Sequence, residues 1–171
     1  NPDADGFTAT SADAKLRAKL SRDHTVSLNL LHSDTDYQFD STPYPNPLGL
    51  TSLTSDAHAR AILNNATLKW DAQWLAQWHT TLTVGSSDEQ SLSDYFRIAD
   101  GAWGGNSKFN TNRRQATWQN DITLDKDVLS LTVENRSESV DSSTVYTVTS
   151  RDVRSALVSY AFNRASWNAL L

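Results

Sequence analysis

Strict two-residue alternation of apolar and polar side chains recurs along almost the whole chain, and it limits the fold more than any other feature. Ala12, Ala14, Leu16, Ala18 and Leu20 alternate with Ser11, Asp13, Lys15, Arg17 and Lys19. Val26, Leu28 and Leu30 alternate with Thr25, Ser27 and Asn29. Ala66, Leu68 and Trp70 follow the same rule, then Trp78, Thr80, Leu82 and Val84, then Ala116, Trp118, Ile122 and Leu124, with Asn120 as the exception. Leu129, Leu131 and Val133 come next, and Ala156, Val158, Tyr160 and Phe162 share a face near the end. Side chains of a strand point alternately to its two faces, so the pattern predicts about seven strands, each with one apolar and one polar face.

Two segments compete for a helical reading. Ala12, Leu16 and Leu20 also recur at every fourth position, and the stretch from Thr67 to Trp78 is rich in Ala, Leu and Gln. Both are good helix formers in isolation. Within a regular series of alternating segments, strand is the expectation for each.

The connections alternate in length. Short polar turns are expected near Ser21–His24, Asp71–Gln73, Asp125–Asp127 and Asn163–Ser166. Long links are expected over roughly Gln38–His58, Asp88–Thr111 and Asp141–Ser150. The long links hold the Pro and Gly clusters, as in Pro43-Tyr44-Pro45-Asn46-Pro47 and Gly101-Ala102-Trp103-Gly104-Gly105. A meander with short turns at one end and long loops at the other is the arrangement of an outer-membrane barrel, whereas a sandwich usually carries Greek-key links. Trp70 and Trp74 are expected to flank one short turn, and Phe162 and Trp167 another, with Tyr37, Phe39, Tyr95 and Phe96 at the opposite strand ends. Such rings form the two interfacial girdles of a barrel in lipid, although core packing also uses them. Asp13, Lys15, Arg17, Lys19, Lys69, Glu134, Arg136 and Glu138 all fall on polar faces, which a barrel would turn toward a wet lumen.

Composition narrows the function. With 171 residues the chain is one domain or part of one, and its net charge of -5 speaks against nucleic-acid binding. It has no cysteine, so disulfides and thiolate metal sites are excluded. No apolar run is long enough for a transmembrane helix. No Ser/His/Asp constellation, phosphate-binding Gly loop or pair of buried carboxylates is visible, and a non-enzymatic role is expected. His24, His32, His58 and His79 are scattered without metal-ligand spacing. The fold class expected is all-β, an antiparallel meander forming part of a transmembrane β-barrel. The first strand runs from the loop side toward a short turn, and the last stops after half a crossing. Seven strands and a stub leave open edges that lipid does not tolerate, so the remainder of the barrel is expected to lie outside these residues.

The order Asp3-Ala4-Asp5-Gly6-Phe7, two strands, a Pro-rich acidic loop with Tyr37, Asp40, Tyr44 and Pro47, then Trp70–Val84 and Arg114–Leu124 resembles TonB-dependent outer-membrane receptors. Within that family it is most similar to the cobalamin (vitamin B12) receptors. The resemblance covers residues 1–171 as a section of a barrel of about 22 strands, without plug domain or closing strands. It implies a receptor in the outer membrane of a Gram-negative bacterium that captures cobalamin and imports it. The partners implied are the small-molecule ligand, outer-membrane lipid, and TonB through an N-terminal region not in this chain. Related receptors take a siderophore, haem or an oligosaccharide, and a soluble or surface adhesin-like β-protein is the reading from another class.

The resemblance also implies Ca2+ in the outside loops. Asp3 and Asp5 match the family's motif directly, and Asp40 and Asp56 match by loop position, with Asp36 a rival for Asp40. The run Asn1-Pro2-Asp3-Ala4-Asp5-Gly6 superficially opens an EF-hand loop, but its twelfth position is Ala12 rather than a bidentate Glu. Turn formation and solvation are the competing roles for these aspartates.

Overall fold

The computed structural model describes residues 5–43, 46–163 and 168–170. It is an eight-stranded antiparallel sheet in which every strand pairs with its sequence neighbours, without crossovers. The strands are β1 (Phe7–Lys19), β2 (His24–Phe39), β3 (Ser55–Leu75), β4 (Trp78–Arg97), β5 (Trp103–Leu124), β6 (Asp127–Ser142), β7 (Ser150–Asn163) and the short β8 (Asn168–Leu170). The all-β meander is therefore present, and both segments with helical potential are strand. Such a sheet is compatible with part of a β-barrel.

Register carries the alternation across the sheet. Ala18, Val26, Trp70, Leu82, Trp118, Val133 and Ala156 form one continuous cross-strand row. Leu16, Leu28, Leu68, Val84 and Ala116 form the next row up. A slip of one residue between any pair would send half of this band to the opposite face, so the band pins the register. Many of its members, including Leu16, Leu68, Val84, Trp118 and Val158, are exposed. The sheet thus presents an open apolar face instead of enclosing a core on it.

Among the described residues, three short connections lie at the lower end. Residues 20–23 join β1 to β2, where the Ser21 hydroxyl accepts hydrogen bonds from the Asp23 and His24 amides, both at 3.1 Å. Residues 125–126 join β5 to β6, with Asp125 at φ 59°, a left-handed conformation that Asp tolerates better than most residues. Residues 76–77 join β3 to β4. The turn expected at Asp71–Gln73 is instead continuous strand, because Asp71 pairs with Thr81 and Thr25, and Gln73 with His79. Trp70 and Trp74 therefore both lie in β3, and the turn is flanked by Trp74 and Trp78. A register shift between Gln73 and Leu75 marks a bulge at Trp74.

The upper connections are shorter than expected. The link over Asp88–Thr111 shrinks to residues 98–102, that over Gln38–His58 to 40–54, and that over Asp141–Ser150 to 143–149. β3, β4 and β5 contain 21, 20 and 22 residues, about twice what crosses a bilayer. Above the Leu68–Val84–Ala116 row both faces of β4 and β5 are mainly polar, so their alternation disappears while the ladder continues, whereas β3 turns Ala57, Ala59, Ala61 and Leu63 to the face opposite the band. Of the turn expected at Asn163–Ser166, Asn163 ends β7, and residues 164–166, like Trp167, lie outside the described residues.

Asn120, the polar exception in β5, is explained at the lower end of the band. It is only 6% exposed, and its Oδ1 accepts from Thr80 Oγ1 at 2.7 Å and Trp78 Nε1 at 3.0 Å. Trp74 Nε1 donates to Thr80 Oγ1 at 3.0 Å. Two indoles thus keep apolar bodies on the band while their N–H groups are satisfied.

Candidate functional site

The polar face opposite the band carries the candidate site. Across β4–β7 the register places Ser87, Arg113, Glu138 and Arg151 in one row. Glu138 stands between two arginines because it is the direct cross-strand partner of both. Arg113 Nε lies 2.8 Å from Glu138 Oε1, Arg151 Nε bonds Glu138 Oε2, and Arg136, two residues along the same face of β6, approaches to 3.6 Å. Hydrogen bonding from Arg151, with the charges of Arg151, Arg113 and Arg136, holds the Glu138 carboxyl below its ordinary value although desolvation opposes this. Three guanidiniums share the Glu138 carboxylate, with Glu89 and Glu134 as further acids on the same face.

Beneath it is a hollow of about 250 Å³ lined by Asn65, Thr67, Thr83, Gly85, Arg113 and Gln115. Gly85 occupies the position where each neighbour has a side chain, since it pairs with Thr67 and Gln115. A second hollow of about 340 Å³ above involves Glu89, Thr111, Arg113 and Glu138. Together they form a polar wall with arginine donors at its upper part, suited to carboxylate, phenolate or phosphate groups. Lower on the same face Asp71 is bonded by Lys69 at 2.8 Å and Thr81 at 3.1 Å, and Asp121 by Gln119 and Ser130. His79 stands 3.8 Å from a carboxylate oxygen of each aspartate. Asp71 and Asp121 thus both have partners, as polar groups in partial burial require.

Of the aspartates expected to bind metal, Asp5, Asp40 and Asp56 sit at the upper end of the first three strands. Asp3 lies outside the described residues. The Gly6 carbonyl accepts from the Gln38 amide at 2.9 Å, and the Gly6 amide donates to Gln38 Oε1 at 2.9 Å, so Asp5 is held beside the end of β2. Phe39 pairs with Ala57, which brings Asp40 next to Asp56 along the backbone. Asp56 Oδ2 is 3.2 Å from His58 Nε2. Asp36 lies within β2, opposite Thr8 and Arg60. Among the described residues no three His, Asp or Glu side chains converge as a metal-holding group.

Arg113 and Arg151 had no sequence signal of their own. Arg113 follows a stretch that reads as loop, and Arg151 opens a strand after one. Only the pairing of β5, β6 and β7 reveals that both meet Glu138, whose polar-face position is legible from alternation.

No protein-family model and no curated protein matches the chain. Among solved structures, the ferric preacinetobactin receptor BauA of Acinetobacter baumannii is similar, with a TM-score of 0.53 and 12% identity. The superposition covers 91% of this chain and 28% of that receptor. At this identity the likeness is one of fold. The chain spans little more than a quarter of the length of that structure.

Proposed function

We propose that these residues form part of the barrel wall of a TonB-dependent receptor in the outer membrane of a Gram-negative bacterium. The observation that carries the reading is the two-faced meander. An apolar band lies on one face, a polar wall rich in ion pairs and hydrogen bonds on the other, and the upper halves of β4 and β5 are mainly polar on both. The band spans about nine residues of β5, Ala116–Leu124, the number a tilted strand needs to cross hydrocarbon. The fold likeness to a ferric siderophore receptor supports the same class. In this reading the upper strand halves stand outside the membrane and hold the ligand-collecting loops.

The resemblance in the entry motif favours cobalamin as cargo. The arginine wall and the fold neighbour favour an iron chelate with acidic oxygens at least as well, because guanidiniums bind such oxygens through paired N–H groups. The experiment is equilibrium binding of cyanocobalamin and of ferric siderophores to the full-length receptor, with uptake compared in cells with and without TonB. Sub-micromolar binding and TonB-dependent uptake of one of them is the expected result. Uptake indifferent to TonB would refute the receptor class.

Calcium ordering of the upper loops is part of the proposal, with Asp3, Asp5, Asp40 and Asp56 as donors. Its support is the register, which brings residues 5, 40 and 56 to neighbouring strand ends. Carboxylates suit a hard cation, and the remaining oxygens of a six- to eight-fold shell would come from backbone carbonyls and water.

A further inference from the structure

The outward, apolar face carries two adjoining grooves at its upper edge, of about 590 and 540 Å³. Leu28, Leu68 and Val84 floor the first, and Leu82, Trp118 and Val133 the second, while Ala116 and Asn135 belong to both. Each has one arginine at its polar rim, Arg114 in the first and Arg154 in the second. The ladder sets these two on strands either side of β6, with Ser137 opposite Arg114 and Asn135 opposite Arg154.

The two arginines differ from the other cations of this face. Arg60 is bonded to Asp34, and Lys108 to Asp141 at 2.7 Å. Arg114 and Arg154 are exposed and make no ion pair among the described residues. The nearest acids on the face are Asp152, opposite Ser137, and Asp88, which is bonded by Asn112 and Ser86. Two guanidiniums in no ion pair among the described residues thus sit where the apolar rows end, each above a channel of acyl-chain character, with Asp152 two residues from Arg154 on the same face.

We propose that the paired grooves bind an anionic, phosphate-bearing membrane lipid, with its acyl chains along the Leu68–Val84 and Leu82–Trp118–Val133 floors and its phosphate oxygens held by Arg114 and Arg154. Asn135 and Ser137, between the arginines, supply neutral hydrogen-bond donors. Arginine suits this role because its planar donor fork matches phosphate oxygens while its methylenes lie on apolar surface. The inference rests on the barrel-wall reading, which makes this face the one in contact with lipid.

The test uses the full-length receptor in detergent, titrated with phosphatidylglycerol or phosphatidylcholine carrying identical brominated chains, and reads quenching of tryptophan fluorescence. Trp118 floors one groove, and Trp70, Trp74 and Trp78 share its face. Wild type should be quenched at roughly tenfold lower content of phosphatidylglycerol than of phosphatidylcholine, given the usual attraction of juxtamembrane arginines for anionic headgroups. The double variant Arg114→Gln/Arg154→Gln should lose that preference and keep its response to phosphatidylcholine, which also reports that it is folded. Equal quenching by both lipids in wild type, or an undiminished preference in the double variant, would overturn the lipid site while leaving the barrel wall standing. Absence of quenching by either lipid would overturn the wall reading and the site with it.

Discussion

Leu82→Arg puts the two-faced wall to its sharpest test. Leu82 lies in the row with Trp70 and Trp118, four residues above Trp78 at the lower girdle. At about 3.3 Å per residue that is ~13 Å along the strand, or ~10 Å along the membrane normal for a strand tilted by about 45°. An apolar belt about 25 Å tall therefore has Leu82 close to its middle, where an arginine costs roughly 2–4 kcal/mol. Thr132→Arg is the matched control. Thr132 is the cross-strand partner of Gln119 on the polar face, at almost the same height, and its replacement should cost less than about 1 kcal/mol. Reversible urea-driven folding of the full-length protein into phospholipid vesicles measures both. Leu131→Arg should behave like Leu82→Arg, Leu68→Arg, one row below Arg114, should cost less but still more than its polar-face neighbour, and Thr67→Arg should behave like Thr132→Arg. Equal penalties on the two faces would refute the assignment of one face to lipid, whatever the fold.

Glu138→Gln should lower the melting temperature at neutral pH, because Arg113, Arg136 and Arg151 lose their shared carboxylate, and should tighten binding of anionic ligands. The folded Glu138 carboxyl titrates below its usual 4.5, so its stabilisation is present above that value and fades as the pH falls through the lowered one. Wild type and variant should therefore converge in melting scans taken progressively further below pH 4.5, and a gap that widens with acid would contradict the ion cluster. Gly85→Ala should fold and gain up to about 1 kcal/mol in denaturant titration. Its new Cβ would meet only Thr67 Oγ1 at 3.5 Å and the Ala66 carbonyl at 3.6 Å, and a loss of stability would show that the hollow is packed tighter than described. If the proposed receptor role holds, Asp3→Ala and Asp5→Ala should each weaken calcium binding to the full-length protein and, through less ordered loops, ligand binding; isothermal titration showing both affinities unchanged in both variants would dispose of the calcium proposal.

Alternation alone determined the strand type, the identity of the two faces and the lower turns at residues 20–23 and 125–126. Those are local properties, since a strand's faces follow from successive side-chain directions and a tight turn from a few residues. It misplaced the β3–β4 turn because Asp71, Ala72 and Gln73 have turn-like composition, while cross-strand pairing on both sides keeps them extended. It also shortened β4 and β5 where both faces become polar, since a strand between two polar environments has no period to read. The length there is decided by backbone ladders to neighbouring strands. The same holds for the charged wall. That Glu138 faces the polar side is visible in β6 alone, but its meeting with Arg113 and Arg151, 25 and 13 residues away in the chain, follows only from register. Register is a property of paired strands, set by the apolar band that all of them share, and so the arginine cluster and the paired grooves came into view only with the assembled sheet.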